Sequence, residues 1–313
     1  MLDNDNIDKK TYSDLMEEIK KLNSDYQNLR RSKNYKIGKA INMTITAVKT
    51  GKLSQAKKQF LRWENAVRSK KFAGTPQKVN QPFTSSNYFT NERIAVYTVV
   101  FGKYDSLLEP YCQPDNIDYY LITDQEVDLD KSLWVKKDIS VFEPELKNMT
   151  NAEKNRFFKM NPFDVFPEYK YSIYIDGNIQ VITDLSEYIY RIGSCGFATH
   201  MHSSRDCVYE ESKAIVFAKK ETQGNMDKHI EHLRNDRFPE HYGMLECNVL
   251  VRRNCPVCKK LMKEWWKEFL TYSKRDQISM PYILYKNGIQ IDEVGTLGNN
   301  VYENPSFRIT THN

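Results

Sequence analysis

The 313-residue chain is 40% hydrophobic and 28% charged, and its formal net charge is +5 at pH 7. Such a chain can bury the core of one large α/β domain and still carry an additional segment. No apolar run approaches the ~20 residues that cross a bilayer, and the acidic N-terminus is unlike a secretory signal. Six cysteines in a chain of this length do not make a disulfide framework. We therefore expect a cytoplasmic protein with free thiols.

Two differently charged modules share the chain. Residues 1–90 contain 18 basic and 8 acidic side chains, a surplus of +10, whereas residues 91–313 contain 28 and 33, which gives −5. A basic helical module is predicted at residues 1–71, and a linker at residues 72–90, where glycine, proline and serine interrupt the periodicity. The larger domain is predicted at residues 91–313, and a chain that begins near Asn91 is expected to retain its chemistry.

The basic module has the apolar spacing of helices. Basic amphipathic helices bind anionic membrane surfaces, and they also bind partner proteins or pack on the domain to which they are attached. These alternatives stay open, among them docking to a membrane-bound assembly and association with a second copy of the chain. Nucleic acid is not expected, because the larger module is acidic and has no visible recognition fold. The apolar positions fall in three stretches: Leu15, Ile19, Leu22, Tyr26 and Leu29; Ile37, Ile41, Ile45 and Val48; and Leu53, Phe60, Leu61, Trp63 and Val67.

The larger domain begins with strand-forming segments. Aromatic and β-branched residues fill residues 93–101 and 117–123, and a shorter strand is predicted around Trp134. A helix is predicted at residues 151–166, and an almost continuous apolar run follows at residues 170–183. Continuous apolar runs are typical of strands buried on both faces, and strands that alternate with helices indicate a Rossmann-like α/β sheet.

A carboxylate interrupts the last of these apolar runs. Asp176 is followed by Gly177 and Asn178, after which the chain becomes apolar again. Ligands of open α/β sheets bind at the carboxyl ends of the strands. Asp176 is therefore placed to share a divalent cation with a phosphorylated ligand, and Asn178 adds a second oxygen. The alternative is an acid that caps an ordinary turn.

Histidine and cysteine pairs carry weaker signals. His200 and His202 alternate on a predicted strand, so they share one face, which permits joint ligation of a metal. Cys255 and Cys258 form a Cys-x-x-Cys pair at the start of a predicted helix, where a thiol pKa falls. Neither a thioredoxin-like context nor a second cysteine pair supports a redox or zinc site.

Several segments resemble one family of glycosyltransferases. Residues 155–178 resemble the central block of GT-A glycosyltransferases, and residues 96–105 resemble the opening strand and loop. The likeness is closest to a family of plant and bacterial glycosyltransferase-like proteins long catalogued as a domain of unknown function, and is more distant to family-8 transferases. It spans roughly residues 92–312, and further matching blocks lie at residues 202–211, 265–266 and 275–279.

This resemblance implies a GT-A-like, Rossmann-type mixed sheet flanked by helices. It also implies transfer of a sugar from a nucleotide-sugar, such as a UDP-sugar, to a glycan or lipid-linked acceptor in cell-surface or capsular polysaccharide synthesis. Asp176 and Asn178 stand where GT-A enzymes carry an Asp-x-Asp site for Mn²⁺ or Mg²⁺. Because an amide adds no charge, Asn178 should lower the metal affinity, and the strictness of the metal dependence stays open.

The resemblance also implies roles for residues at the ends of other elements. Glu246 is a candidate general base toward an acceptor hydroxyl, and Asp276 would face donor or acceptor hydroxyls. His312 is the candidate third metal ligand. Without the resemblance, these residues read as loop acids, helix caps and solvated helix faces. The other implied contacts are Thr98, Asp124, Arg156, Lys159, Asp176 and Asn178 to the donor, and His202, Arg275, Gln277 and Asn248 to the acceptor or sugar.

Two other functions compete with transfer. A catalytically inactive GT-A-like module that binds carbohydrate or a partner is favoured by the amide at Asn178. A metal-dependent phosphoesterase would need a denser cluster of acids and histidines than surrounds Asp176. Turnover of a donor by the purified protein in the presence of Mn²⁺ separates transfer from binding alone.

Overall fold

The computed structural model describes residues 9–50, 74, 90–102 and 107–310. The helix predicted around residues 53–67, most of the predicted linker and His312 lie outside these residues. Within them, no helix is long and apolar enough to cross a membrane.

Nine helices and nine strands form the described part of the chain. The helices are α1 (Lys9–Arg31), α2 (Lys33–Lys49), α3 (Glu143–Leu146), α4 (Asn151–Met160), α5 (Pro162–Val165), α6 (Val208–Phe217), α7 (Gln223–Asn235), α8 (Pro256–Thr271) and α9 (Asp276–Lys286). The strands are β1 (Ile94–Val100), β2 (Ile117–Thr123), β3 (Trp134–Lys136), β4 (Tyr171–Ile175), β5 (Ile179–Val181), β6 (Phe197–Met201), β7 (Leu245–Arg253), β8 (Gly295–Thr296) and β9 (Phe307–Ile309).

The main sheet has seven strands in the order β3-β2-β1-β4-β7-β6-β8. Strands β3, β2, β1 and β4 are parallel, β7 is antiparallel to both β4 and β6, and β6 and β8 are parallel. Strands β5 and β9 form a separate antiparallel ribbon. The predicted mixed α/β sheet flanked by helices is therefore confirmed.

Both faces of the sheet are buried. On β1, Tyr97 and Val99 belong to the core beneath the helices, whereas Val96 faces a second core on the opposite side. The first core includes Trp265 of α8, and the second includes Phe307 of β9. The continuous burial of β1 agrees with its continuous apolar sequence.

Two predicted elements are divided where the sequence requires a change of direction. The apolar run at residues 170–183 ends as β4 and resumes as β5 in the other sheet, because the chain turns after Asp176. The predicted helix at residues 151–166 is broken at Asn161, whose φ and ψ are −121° and 48°. Proline disfavours helical geometry in the preceding residue, and Pro162 begins the next helix.

Candidate active site

The carboxyl ends of β1, β2 and β4 lie at the same edge of the sheet, as in other open α/β folds. Asp124 follows β2 and Asp176 follows β4. Because β7 runs antiparallel to β4, its first residues reach the same edge, and the Asp176 amide donates to the Asn248 carbonyl at 3.0 Å. The topology thus places the most distinctive acids predicted from the sequence along one edge.

A buried lysine connects two carboxylates at this edge. Lys159 of α4 is 1% exposed, and its Nζ lies 2.6 Å from Asp276 Oδ2 and 3.6 Å from Asp176 Oδ1. The hydroxyl of Tyr174 donates to Asp176 Oδ1 at 2.7 Å. A capping box formed by Thr150 and Glu153 fixes the start of α4, the helix that carries the lysine.

Asp276, at the first position of α9, is the centre of a cluster of cations. Arg156 Nε lies 3.1 Å from Asp276 Oδ2, on the same oxygen that Lys159 contacts. Burial alone raises the pKa of Asp276, but Arg156, Lys159 and Arg275 outweigh it and hold that pKa well below its usual range. A carboxylate held ionised in this way is a weak proton acceptor. The geometry favours Asp276 as the residue that positions Arg156 and Lys159; its predicted catalytic role stays a prediction.

An irregular stretch of β7 shapes the other side of the site. The β6–β7 register shifts next to Thr199, and Cys247 has a φ of 55°, which is uncommon for a residue with a side chain. Glu246 and Asn248 flank it, and the Asn248 amide donates to Glu246 Oε2 at 3.0 Å. Gln277 Nε2 donates to the Glu246 carbonyl at 2.9 Å, so it supports this irregular stretch.

Glu246 differs from Asp276 in its electrostatic environment. Its Oε2 also accepts from the Val301 amide at 3.4 Å. Burial raises the pKa of Glu246 to about 7, and the charges of Glu303 and Glu211 act in the same direction. A carboxyl group with a pKa near the working pH is suited to proton transfer. Glu246 therefore lies in the strand, rather than in the loop expected from the sequence, and has the properties of a general base.

Asn178 lies in the turn between β4 and β5. Its Nδ2 donates to the Thr310 carbonyl at 3.2 Å, and the Thr310 amide donates to the Asn178 carbonyl at 2.9 Å. The amide nitrogen is therefore occupied, which leaves Oδ1 as the group that can ligate a cation.

The fit to a divalent cation rests on Asp176 and Asn178. The described residues contain no group of three or more His, Cys, Asp and Glu side chains that could hold a metal. Mg²⁺ is commonly held by one or two carboxylates together with the phosphate oxygens of a substrate. One carboxylate and one amide oxygen fit such a shared site.

A basic cleft lies beside these groups, at the ends of β1, β2 and β3. Its volume is about 640 Å³, and its walls include Phe101 and Asp124. The Gly102 amide donates to Asp124 Oδ1 at 3.0 Å, which fixes this carboxylate at the rim. Thr98, by contrast, is 3% exposed within β1 and does not line this cleft. Four lysines contribute to the walls: Lys136, Lys137, Lys147 and Lys154.

The two histidines near β6 have separate partners. The Nε2 of His200 lies 3.1 Å from the Asn304 amide, and burial lowers the pKa of His200 to about 3. The Nδ1 of His202 accepts from the Arg205 amide at 3.0 Å, and its Nε2 lies 3.6 Å from Glu211 Oε2. The joint ligation expected from their spacing is therefore not seen.

The Cys-x-x-Cys pair lies at a helix start, as expected. Cys255 is the N-cap of α8 and Pro256 is the first helical residue. Both cysteines are free thiols, and burial raises the pKa of Cys258, which opposes a reactive thiolate.

Comparison with known proteins identifies the family. The family model described as "TOD1/MUCI70, glycosyltransferase-like domain" matches residues 68–308. The probable hexosyltransferase MUCI70 of Arabidopsis thaliana is 23% identical over 211 residues, which cover 59% of this chain and 36% of that protein. The chain thus spans little more than a third of that relative.

Among solved structures, the apo form of the bifunctional glycosyltransferase WbbM aligns with a TM-score of 0.41 and 11% identity, covering 72% of this chain and 40% of that one. Mouse xyloside xylosyltransferase 1 aligns with a TM-score of 0.39 and 10% identity, covering 64% of this chain and 83% of that one. The family model covers most of the larger domain, including all the strands described above except the last residue of β9. This protein therefore belongs to the TOD1/MUCI70 glycosyltransferase-like domain family.

Proposed function

We propose that the protein is a glycosyltransferase that moves a hexosyl or related residue from a UDP-sugar to a glycan or lipid-linked acceptor of a cell-surface polysaccharide. The observation that carries this proposal is the arrangement at the end of β4. Asp176 lies beside the buried cations Lys159 and Arg156, and a lysine-rich cleft opens along the neighbouring strand ends. Family membership supports the same class of reaction.

The basic cleft has the size and charge to bind the nucleotide. A volume of about 640 Å³ is within the range of small-molecule sites. Its lysines attract phosphate, Asp124 can accept from a base or ribose hydroxyl, and Phe101 offers an apolar wall.

The residues at the end of β4 would stabilise the departing diphosphate. A divalent cation held by Asp176 and Asn178, when bound, would supply positive charge to the phosphate oxygens. Lys159 and Arg156 add fixed positive charge from α4, because Asp276 holds both side chains in place. Charge placed in advance where negative charge develops is commonly the largest contribution to catalysis.

On the acceptor side, Glu246 would accept the proton of the attacking hydroxyl. Its pKa of about 7 leaves a substantial ionised fraction at neutral pH and keeps it a stronger base than an ordinary glutamate. Asn248 donates to its Oε2, which orients the carboxylate. His202 and Arg275 are proposed to line the sugar or acceptor pocket.

A panel of nucleotide-sugars tests this proposal. Purified protein is mixed with each donor, with and without Mn²⁺, and both binding and release of the nucleotide are measured. Transfer or hydrolysis of one donor that Asp176→Ala abolishes and Asp164→Ala, at an exposed acid outside the site, preserves would support it. Donor binding without any turnover would instead favour the non-catalytic carbohydrate-binding module.

We further propose that the protein works at the inner face of a membrane, where lipid-linked acceptors are found. Helix α2 contains no acidic residue and exposes Ile37, Ile41 and Ile45 to 48%, 56% and 46%. These positions lie four residues apart, so they form one apolar stripe between lysines. An exposed apolar stripe on a basic helix fits an anionic lipid surface.

A further inference from the structure

Helix α1 contacts the larger domain through polar side chains. Asn23 is only 2% exposed, and its Nδ2 donates to the carbonyls of Pro305 and Phe307 at 2.7 and 3.0 Å. Gln27 also donates to the Phe307 carbonyl, and Arg30 donates to the Ile309 carbonyl at 3.2 Å. Asn23, Gln27 and Arg30 are spaced by four and three residues, so they lie on one face of the helix.

This polar face covers one edge of β9. Strand β9 pairs with β5 on one side only, so its other edge would present carbonyl groups without strand partners. The side chains of α1 take the place of that missing strand. The contact is reciprocal, because Arg308 Nε donates to Asn23 Oδ1 at 3.3 Å and its guanidinium lies 4.7 Å from the centre of the Tyr26 ring.

The same ribbon carries Asn178 at its opposite end. Ile179 pairs with Ile309 across the ribbon, and the next position joins Asn178 to Thr310 through hydrogen bonds in both directions. One of these bonds uses the side-chain amide of Asn178, so the location of Thr310 determines how that amide is oriented. A continuous chain of contacts therefore leads from α1, through β9, to the side chain two residues after Asp176.

We infer that Asn23 and Gln27 of α1 are positioning residues of the donor site: they fix β9, and β9 holds the Asn178 amide toward the diphosphate and its cation. This inference rests on the proposed function of Asp176 and Asn178. Helix α1 lies outside residues 68–308, which match the family model, so this chain adds an element to the family's domain. The inference also opposes the expectation that a chain beginning near Asn91 retains full activity.

The test uses full-length variants of α1 and a double-mutant cycle. Asn23→Leu removes both donors to β9, Gln27→Leu is the milder change, and Asn28→Leu is the matched control at an exposed position of the same helix. UDP affinity in the presence of Mn²⁺ is measured by calorimetry for Asn23→Leu, Asn178→Ala and the double variant. If Asn23 acts through Asn178, Asn23→Leu should weaken UDP binding by about tenfold, with no further loss when Asn178 is already alanine.

Hydrogen exchange provides a readout that does not depend on donor binding. Amides of residues 178–181 and 307–310 should exchange faster in Asn23→Leu and Gln27→Leu but not in Asn28→Leu. Additive losses of UDP affinity in the double variant, or faster exchange with unchanged affinity, would overturn the positioning role and leave α1 a structural cover. Failure of the wild type to bind any nucleotide would instead refute the proposed function, whereas the exchange data would still report the contact between α1 and β9.

Discussion

Lys159 Nζ lies 2.6 Å from Asp276 Oδ2, although the two residues are 117 positions apart in the chain. Both side chains are almost completely buried, and their pairing joins α4 to the start of α9. Buried ion pairs seldom add net stability, because desolvation costs about as much as the attraction returns. Their retention here is explained by function, since the pair keeps fixed positive charge beside Asp176.

Asp276→Asn should destabilise the fold, because it leaves Lys159 and Arg156 buried without their counter-charge. Removing one partner of a buried pair typically costs about 3–5 kcal/mol in the free energy of unfolding. Urea denaturation measures this change. Glu92→Gln is the control, since its pair with Lys170 is exposed and exposed pairs contribute about 1 kcal/mol or less. Equal costs for the two variants would contradict the importance assigned to the cation cluster.

The pH dependence of transfer should report the ionisation of Glu246. A general base acts in its deprotonated form, so kcat/KM should rise with pH and level off above about 7, the raised pKa of this residue. Glu246→Gln should lower kcat by about 10²–10⁴-fold and remove this dependence. The charge of Glu303 raises the pKa of Glu246, so Glu303→Gln should shift the rising part of the profile to lower pH. A profile that persists unchanged in Glu246→Gln would assign the base elsewhere.

Much of the sheet could be predicted from local sequence, whereas the site required tertiary contacts. Residues 93–101 are apolar throughout, and β1 is indeed buried on both faces. Asp176 could be located because a single acid ends a long apolar run. The pairing of Lys159 with Asp276 has no local signal, because it depends on how two distant helices pack.

Backbone irregularity and mixed helix faces were also hidden from periodicity. The positive φ of Cys247 belongs to a residue that gives no turn signal, so the irregular stretch of β7 was missed. In α1, periodicity selects the apolar stripe, yet Leu22 and Leu29 are 62% and 60% exposed and Asn23 is buried. A hydrophobicity pattern cannot identify a face that binds through amides.

Asp176→Ala should abolish transfer without unfolding the protein. The Asp176 side chain is 31% exposed and lies at the end of β4, so its removal leaves the core packing intact. Circular dichroism checks the fold, and product formation from the active donor checks the transfer. Full activity in this variant would rule out Asp176 as the centre of the donor site.

Asn178→Asp should tighten Mn²⁺ binding, because a carboxylate adds charge to a site that now holds a single acid. The substitution also removes the bond from Asn178 Nδ2 to the Thr310 carbonyl, so the gain should be modest. Calorimetric titration of both forms in the presence of UDP measures the difference. Equal or weaker affinity in the aspartate form would show that this side chain does not face the cation.

Full-length protein should sediment with vesicles that contain phosphatidylserine at low salt, and the bound fraction should fall as the salt concentration rises. Each lysine near an anionic surface contributes about 1 kcal/mol, and screening at physiological ionic strength acts within about 8 Å. Lys36→Glu combined with Lys39→Glu, or Ile41→Ser alone, should reduce the bound fraction several-fold. The control is Lys213→Glu combined with Lys219→Glu, which makes the same charge change at exposed positions of the larger domain. If the wild type ignores such vesicles at low salt, membrane docking is wrong. Light scattering then tests the remaining alternative, because a dimer that Ile41→Ser dissociates would mean that the apolar stripe of α2 packs against a second copy of the chain.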